Sequence, residues 1–254
     1  MAGSLETDTA RVRAAASRTA AAGSARLSYG LHLGAPPLEA REQLSEGVVD
    51  FAARVAQVFR LLLPGHIRDG LRNVPEALTR PHEMLYVGAT ELLRSGDSWF
   101  AAPTGRDPDG PRGHLDPLWP LDALFGAGGD IIEAGTDTIR DAATTHYRLT
   151  VDIAAADQLL PTGIEVPEAP VRRLRELPAE VWLDDAGRAR RIAIQNAAGN
   201  RQAWKVTEFW DFGVAVAITP PDADQITTAD PADLQRIFMG DSWASSPPPP
   251  RPTT

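Results

Sequence analysis

Alternation of apolar and polar side chains runs through most of the chain. From Ala25 onward, Leu27, Tyr29, Leu31 and Leu33 fall on one face of an extended segment and Arg26, Ser28 and His32 on the other, the period of two that marks a half-buried strand. Gly47 to Leu63 continues with β-branched and aromatic residues around Asp50, which predicts a strand pair or one long bent strand. Met84 to Leu93 and Ser98 to Ala101 flank Ser95-Gly96-Asp97 and read as a hairpin. Ile131 to Arg140 and Thr144 to Ile153 form the next expected pair. Val181 to Leu183 and Arg190 to Ile194 enclose Asp184-Asp185-Ala186-Gly187, residues that supply hairpin-turn conformations. Trp204 to Phe212 and Val214 to Thr219 complete the expected strands.

Helical patterning is sparser. Asp8 to Ala22 is rich in alanine, with Asp8 placed to cap the start and Gly23 to stop it, so a helix is predicted there. The apolar run Leu118 to Phe125, closed by Gly126, predicts a helix of about two turns. Shorter helices are expected at Ala154 to Leu160 and at Pro231 to Met239, the latter with Asp230 as its cap and Pro231 at its first position. Pro64 to Pro81, Arg106 to Leu118 and Pro161 to Pro178 carry the proline, glycine and aspartate pairs of open connections. Ser245 to Thr254 is almost all proline and serine and is expected to be a disordered tail. The expected organisation is one domain over residues 1–244, with a helical extension near 230–240, followed by the tail at 245–254.

Composition narrows the function classes. The 254 residues are 43% hydrophobic and 23% charged, which excludes a chain disordered throughout. Glycine and proline number 21 and 22, favouring many turns over long helices. Lys and Arg number 25 against 34 Asp and Glu, the wrong sign for affinity built on neutralising phosphates, so nucleic acid is not an expected partner. The absence of cysteine removes disulfides, thiolate nucleophiles and a lipid-modified cysteine. No apolar run reaches the length of a membrane span, since even Val55 to Leu63 contains Gln57 and Arg60. Glu6, Asp8, Arg11, Arg13 and Arg18 leave no apolar segment for an export signal. The expected compartment is therefore cytoplasmic if Met1 is the native start, and extracytoplasmic if an export signal has been removed.

Candidate chemistry is scarce. His32, His66, His82, His114 and His146 are scattered without metal-ligand spacing, so no metal is expected. Alternation places His146 with Arg148 and Asp152, opposite Tyr147, Leu149 and Val151, which favours a surface or structural role. Gly126-Ala127-Gly128-Gly129 ends a helix rather than opening one after a strand, and Gly-x-Ser-x-Gly is absent, so neither a nucleotide cofactor nor a hydrolase elbow is indicated. In Trp204 to Phe212 alternation puts Trp204, Val206, Glu208, Trp210 and Phe212 on one face. A carboxylate among tryptophans has its pKa raised by desolvation, so Glu208 is the catalytic candidate, a general acid or a partner for a ligand's polar head. The alternative is that Glu208 pairs with a basic neighbour. Trp99, Phe100, Trp119, Leu124 and Phe125 are bulky residues on a hairpin and a lid-like helix, either plain core or pocket lining.

Several blocks in order then resemble the actinobacterial lipoprotein family of LppX and LprG, related to the LolA periplasmic lipoprotein carriers. They are the alanine-rich helix leading into Gly23-Ser24-Ala25-Arg26-Leu27-Ser28-Tyr29, then Glu46-Gly47-Val48-Val49-Asp50-Phe51, then Thr144-Thr145-His146-Tyr147-Arg148-Leu149-Thr150-Val151-Asp152. Leu177-Pro178-Ala179-Glu180-Val181-Trp182-Leu183-Asp184-Asp185-Ala186-Gly187 follows, and Asp211-Phe212-Gly213-Val214 through Pro220-Pro221 closes the set. The resemblance covers about residues 8–226 and implies an α+β, mostly β fold. Its expected form is a strongly curved antiparallel sheet, a half-open barrel, with helices covering the concave side and an apolar pocket for acyl chains. The family's signal sequence and lipidated cysteine are not found here.

The resulting expectation is binding, carriage or sequestration of a lipid or lipophilic secondary metabolite, with no cofactor. Its expected lining is Trp99, Phe100, Trp119, Leu124, Phe125, Tyr147, Trp204, Trp210 and Phe212. The rival is an intracellular cyclase or isomerase that holds a polyketide-like substrate in its reactive conformer, which needs few acid or base groups.

Overall fold

A computed structural model of the chain describes residues 2–33, 45–61, 81–87, 90–101, 117–152, 155–156, 176–196, 203–229 and 233. Among the described residues twelve strands form one sheet. They are β1 (Ser24–Leu33), β2 (Ser45–Asp50), β3 (Val55–Leu61), β4 (Pro81–Val87), β5 (Thr90–Ser95) and β6 (Ser98–Ala101), followed by β7 (Ala127–Ile139), β8 (Ala142–Asp152), β9 (Glu176–Leu183), β10 (Ala189–Asn196), β11 (Ala203–Trp210) and β12 (Ile226–Thr228). Their order is β12-β6-β5-β4-β3-β2-β1-β11-β10-β9-β8-β7. Two runs of chain-adjacent antiparallel strands, β1 to β6 and β7 to β11, are therefore welded where β1 pairs with β11, Leu27 opposite Phe209. The sheet is curved and unclosed.

Local chemistry explains the turns. Arg140 and Asp141 lie at φ 45° and 65°, the two left-handed positions of the tight turn between β7 and β8, whose backbone twist matches that of the flanking strands. Gly187 at φ 73° closes the β9–β10 hairpin, and its N–H donates to the Asp184 carbonyl at 2.7 Å. Gly47 serves a different need. A Cβ there would lie 2.0 Å from the Gln57 carbonyl oxygen on β3, so only glycine lets β2 approach its neighbour so closely.

Helix α1 (Ala2–Ala20) begins earlier than the expected Asp8 and takes in Gly3 and Ser4 in its first turn. Val12, Ala15, Ala16 and Thr19 are buried, the three-and-four spacing of one helix face. The helix packs on β7, β9, β10 and the turn at residues 124–126. Thr19 Oγ1 accepts the Ala189 N–H at 2.9 Å, tying the helix to β10. The expected second helix is α2 (Trp119–Ala123), continued by a 3₁₀ turn at Leu124–Gly126. Arg54 donates to both carboxylate oxygens of Asp122, at 3.1 and 2.6 Å, and so clips α2 to the β2–β3 turn.

Of the two forms expected for Gly47 to Leu63 the structure has the strand pair, β2 and β3. Two readings change. Met84 to Leu93 belongs to two strands, β4 and β5. Val214 to Thr219 is not a strand: both edges of β11 are already occupied by β1 and β10, so a segment following it has no free ladder to join. Asp211 at φ 48° and Gly213 at φ 79° turn the chain away, and Ser24 anchors it by accepting at its carbonyl from the Gly213 N–H. The chain then reaches the far edge, where β12 pairs in parallel with β6. Of the connections expected at 64–81, 106–118 and 161–178, Pro81 belongs to β4 and Glu176 to Pro178 belong to β9, because each pairs with a neighbouring strand, and 117–118 are described just before α2; the rest of them and the tail at 245–254 lie outside the described residues. Of the helices expected at 154–160 and 231–239, residues 155, 156 and 233 are described, and all three are helical.

The main apolar cluster lies on the face that carries the helices and joins α1, α2 and the inward side chains of β1 to β4 and β7 to β11. A second, smaller cluster of Ile139, Trp182, Ala193, Trp204 and Val206 lies on the opposite face.

Candidate functional site

The register of the ladders places side chains of the concave face in rows across the sheet. One row runs Phe209, Leu27, Gly47, Val58, Met84, Leu93, Phe100. Apart from Gly47 it is wholly apolar, and it joins the main cluster. Phe209 meets Phe51 edge to face at 5.7 Å. The next row in the direction of the β1 C-terminus runs Tyr147, Val181, Ile192, Thr207, Tyr29, Ser45, Arg60, His82. It starts apolar under α1 and becomes polar at Thr207.

That polar half is packed rather than solvated. Thr207, Ser45 and Tyr29 are 0, 2 and 5% exposed. The Tyr29 and Tyr86 hydroxyls share a hydrogen bond of 2.8 Å, with their rings edge to face at 6.5 Å. Lys205 sets its ammonium 5.4 Å from the Tyr29 ring centre. Arg60 faces Glu91 at 3.8 Å, too long for a hydrogen bond. Burial pushes the Tyr29 hydroxyl up against the opposing pull of Arg60, and burial first, then Tyr29 and Glu91, push Tyr86 well up. Both tyrosines are therefore neutral O–H groups at neutral pH. Three buried polar atoms here, Ser45 Oγ, Arg60 Nε and Thr207 Oγ1, have no hydrogen-bond partner. Ser45 lies beside the Tyr29 hydroxyl without reaching hydrogen-bond geometry.

The residues singled out from the sequence divide between the two faces. Leu124 and Tyr147 are buried in the main cluster, and Phe100, Trp119 and Phe125 pack half-buried against it. Tyr147 lies under α1, with the Arg11 guanidinium 6.0 Å from its ring centre. Trp204, Trp210 and Glu208 face the other way. Trp204 belongs to the outer cluster, Trp210 lies under the Arg140 guanidinium at 3.8 Å, and Trp99 lies beside Arg94 at 5.7 Å. Phe212 follows the Asp211 turn, which ends the alternation, and packs against the main cluster with Arg188 and Arg190 at 4.4 and 4.8 Å from its ring centre.

Glu208 sits in a basic setting rather than an apolar one. Its two carboxylate oxygens accept from Arg140 Nε at 2.8 Å and Arg191 Nε at 3.0 Å, and Arg140 also donates to the Ser28 hydroxyl at 3.2 Å. Alternation put Trp204, Val206, Glu208 and Trp210 on one face, but it could not show that Phe212 leaves that face after the Asp211 turn or that β10 and the β7–β8 turn bring arginines to it. His146 on the same face stacks on Trp182 at 4.2 Å and meets Glu180 at 3.1 Å. At the end of the sheet an open pocket of about 610 Å³ lies between Arg140, Asp141, Arg188, Arg190, Trp210 and Phe212. Its arginines are already engaged: Arg140 with Glu208, and Arg188 and Arg190 with Asp184.

The sequence reading missed the polar row. One signal was available: Arg60 interrupts an apolar run in step with Ala56 and Val58, which puts a guanidinium on the inward face. The meeting of Tyr29 with Tyr86 and of Arg60 with Glu91 depends on strand order and had no local signature.

A curved, unclosed, largely antiparallel sheet with helices on one side and an apolar row along that side defines a half-barrel. The Mycobacterium tuberculosis lipoprotein LppX has this fold. The chain matches its crystal structure with a TM-score of 0.50 at 14% identity, over 83% of this chain and 97% of that one. LprF from Mycobacterium bovis aligns with a TM-score of 0.47 at 17% identity, over 84% of this chain and 96% of that one. No family model matches the sequence, and no curated protein does. Among the described residues no helix is long and apolar enough to cross a membrane.

Proposed function

We propose that the protein binds and carries a hydrophobic molecule, a lipid or a lipophilic secondary metabolite, along the concave face of its sheet. One observation carries this reading: the apolar row from Phe209 to Phe100 crosses β1 to β6, whereas α1 packs on β7, β9 and β10. The apolar face of the sheet thus extends beyond the helix; its residues Leu27, Val58, Met84 and Phe209 are at most 1% exposed, and apolar burial of this kind is worth about 25 cal/mol per Å². On this reading Phe100, Trp119, Leu124, Phe125 and Tyr147 contact the ligand from the helix-bearing side. The likeness to a lipoprotein fold supports an extracytoplasmic place of action. Native mass spectrometry of freshly purified protein is the test. A retained acyl-chain or polyketide-like mass is the expected result; protein that releases no such compound and binds no long-chain probe overturns it.

A second reading, a cyclase or isomerase acting on a polyketide-like substrate held on the same face, is favoured by the buried Tyr29–Tyr86 hydroxyl pair. Neutral hydroxyls beside a guanidinium are suited to donating hydrogen bonds to a carbonyl oxygen that gains charge. Incubation with the co-purified compound separates the two readings, since only the enzyme yields an isomeric product.

A further inference from the structure

We infer that the polar half of the Tyr147–His82 row is the seat for the anionic head of a long-chain amphiphile, a carboxylate or a phosphate. This rests on the carriage reading and specifies its ligand. Ser45 and Arg60 are direct register partners on β2 and β3, and Ser45 and Thr207 flank Tyr29 on its two sides. Adjacent strands lie about 4.8 Å apart, so an oxyanion seated over Ser45 and Arg60 reaches Ser45 Oγ and Arg60 Nε together. A hydroxyl or a second oxygen of the head then lies towards Thr207.

The guanidinium in this cluster offers N–H groups and no acceptor, and each hydroxyl has one proton to donate. Among the described residues the facing carboxylate is Glu91, at 3.8 Å from Arg60. The Tyr29–Tyr86 bond uses one of their two hydroxyl protons. Buried groups in folded proteins are almost always paired, yet Ser45 Oγ, Arg60 Nε and Thr207 Oγ1 are unpaired together in one row. An acceptor-only ligand group satisfies all three, and a fully apolar ligand satisfies none. Charge favours an anion over a neutral head: Arg60 acts on the Tyr29 hydroxyl from close by, and its distance of 3.8 Å from Glu91 leaves that pair short of a hydrogen bond. The apolar row of Leu27, Val58 and Met84 lies two residues away along each strand, already buried, so the chain leaving the head is directed along the packed interior of the sheet.

Binding of palmitate, hexadecyl phosphate and hexadecanol to the delipidated full chain, measured by calorimetry, tests the assignment. These probes share one chain length and differ in the head. At least one anion is expected to bind about tenfold or more tighter than hexadecanol, as hydrogen bonds to a charged group require. Preference for palmitate identifies a carboxylate head and preference for hexadecyl phosphate a phosphate head. Arg60→Gln should erase that preference and leave hexadecanol binding intact. Ser45→Ala, which removes an unpartnered hydroxyl and should leave the melting temperature unchanged, is expected to weaken the anion several-fold; it decides the matter if Arg60→Gln does not fold. Equal affinity of the parent for all three probes, or an anion preference that survives both substitutions, overturns the head assignment and leaves carriage standing. If none of the three binds, the carriage reading falls with it.

Discussion

Glu208 shows how much a single side chain owes to neighbours that are distant in sequence. It is 2% exposed, and two arginines from β10 and the β7–β8 turn neutralise it. Glu208→Gln keeps the shape but leaves Arg140 and Arg191 facing a neutral amide. Breaking a fully buried pair costs 3–5 kcal/mol; because both arginines are partly solvated, we expect about 2 kcal/mol, read as a lower urea midpoint, with ligand affinity unchanged because the residue lies on the outer face. Asp184 predicts a pH effect. Burial pushes its carboxyl up, but the Arg188 N–H and the Arg188 and Arg190 guanidiniums outweigh that and hold it below the ordinary value. A depressed folded-state pKa contributes stability above the ordinary carboxylate range and loses it as pH falls through the lowered value. Asp184→Asn should therefore be less stable than the parent at pH 7, and the gap between their urea midpoints should begin to narrow below about pH 4. A gap that does not narrow as pH is lowered further would show that Asp184 acts through packing and not through charge.

At the scale of elements, α1 is positioned by small residues and one hydrogen bond. Ala15 and Ala16 let the helix lie close to the sheet, and Thr19 Oγ1 takes the buried Ala189 N–H. Thr19→Val preserves the shape and orphans that N–H, so a loss of about 1–3 kcal/mol is expected, measured by thermal melting. Gly47→Ala should be comparably costly or worse, since its Cβ would meet β3 backbone that cannot move aside without breaking the β2–β3 ladder. Amide exchange in β2 and β3 of that variant should quicken relative to β8 and β9; uniform exchange would show that the strain is absorbed elsewhere. The strands of both long hairpin runs were readable from alternation because each has one buried face. β12 was not, because its three residues owe their extended form to pairing with β6.

For the whole molecule the decisive contact is β1 with β11, which joins segments 24–33 and 203–210. Pairing over such a separation must overcome loop-closure entropy before it gains contacts, so folding should be slow for the chain's size. Phe209 lies at this weld, 1% exposed and packed on Phe51. Phe209→Ala should lower stability by about 3–5 kcal/mol, with near- and far-ultraviolet circular dichroism falling together. Separate transitions for the two signals would show that the strands on either side of the weld unfold independently.

The sequence by itself determined most of the segments that extend, the two faces of each, the turns at Ser95-Gly96-Asp97 and at Asp184 to Gly187, and the helices at α1 and α2; it did not mark the break between β4 and β5, the turn away at Val214 to Thr219, or β12. The features it determined follow from period-two alternation, turn residues and capping, all of which act within a few positions along the chain. The resemblance carried by its ordered blocks extended that to a curved half-barrel, as found. Only the tertiary structure decided which of the two faces of β11 turns towards α1, and so sent Glu208, Trp204 and Trp210 outward and Thr207 and Phe209 inward. Alternation is symmetric: it divides a strand into two faces and does not say which one meets the core when both carry aromatics. It likewise cannot bring Arg60, Tyr86 and Glu91 to Tyr29, because strand order is set by long-range packing and leaves no local mark in the residues it unites.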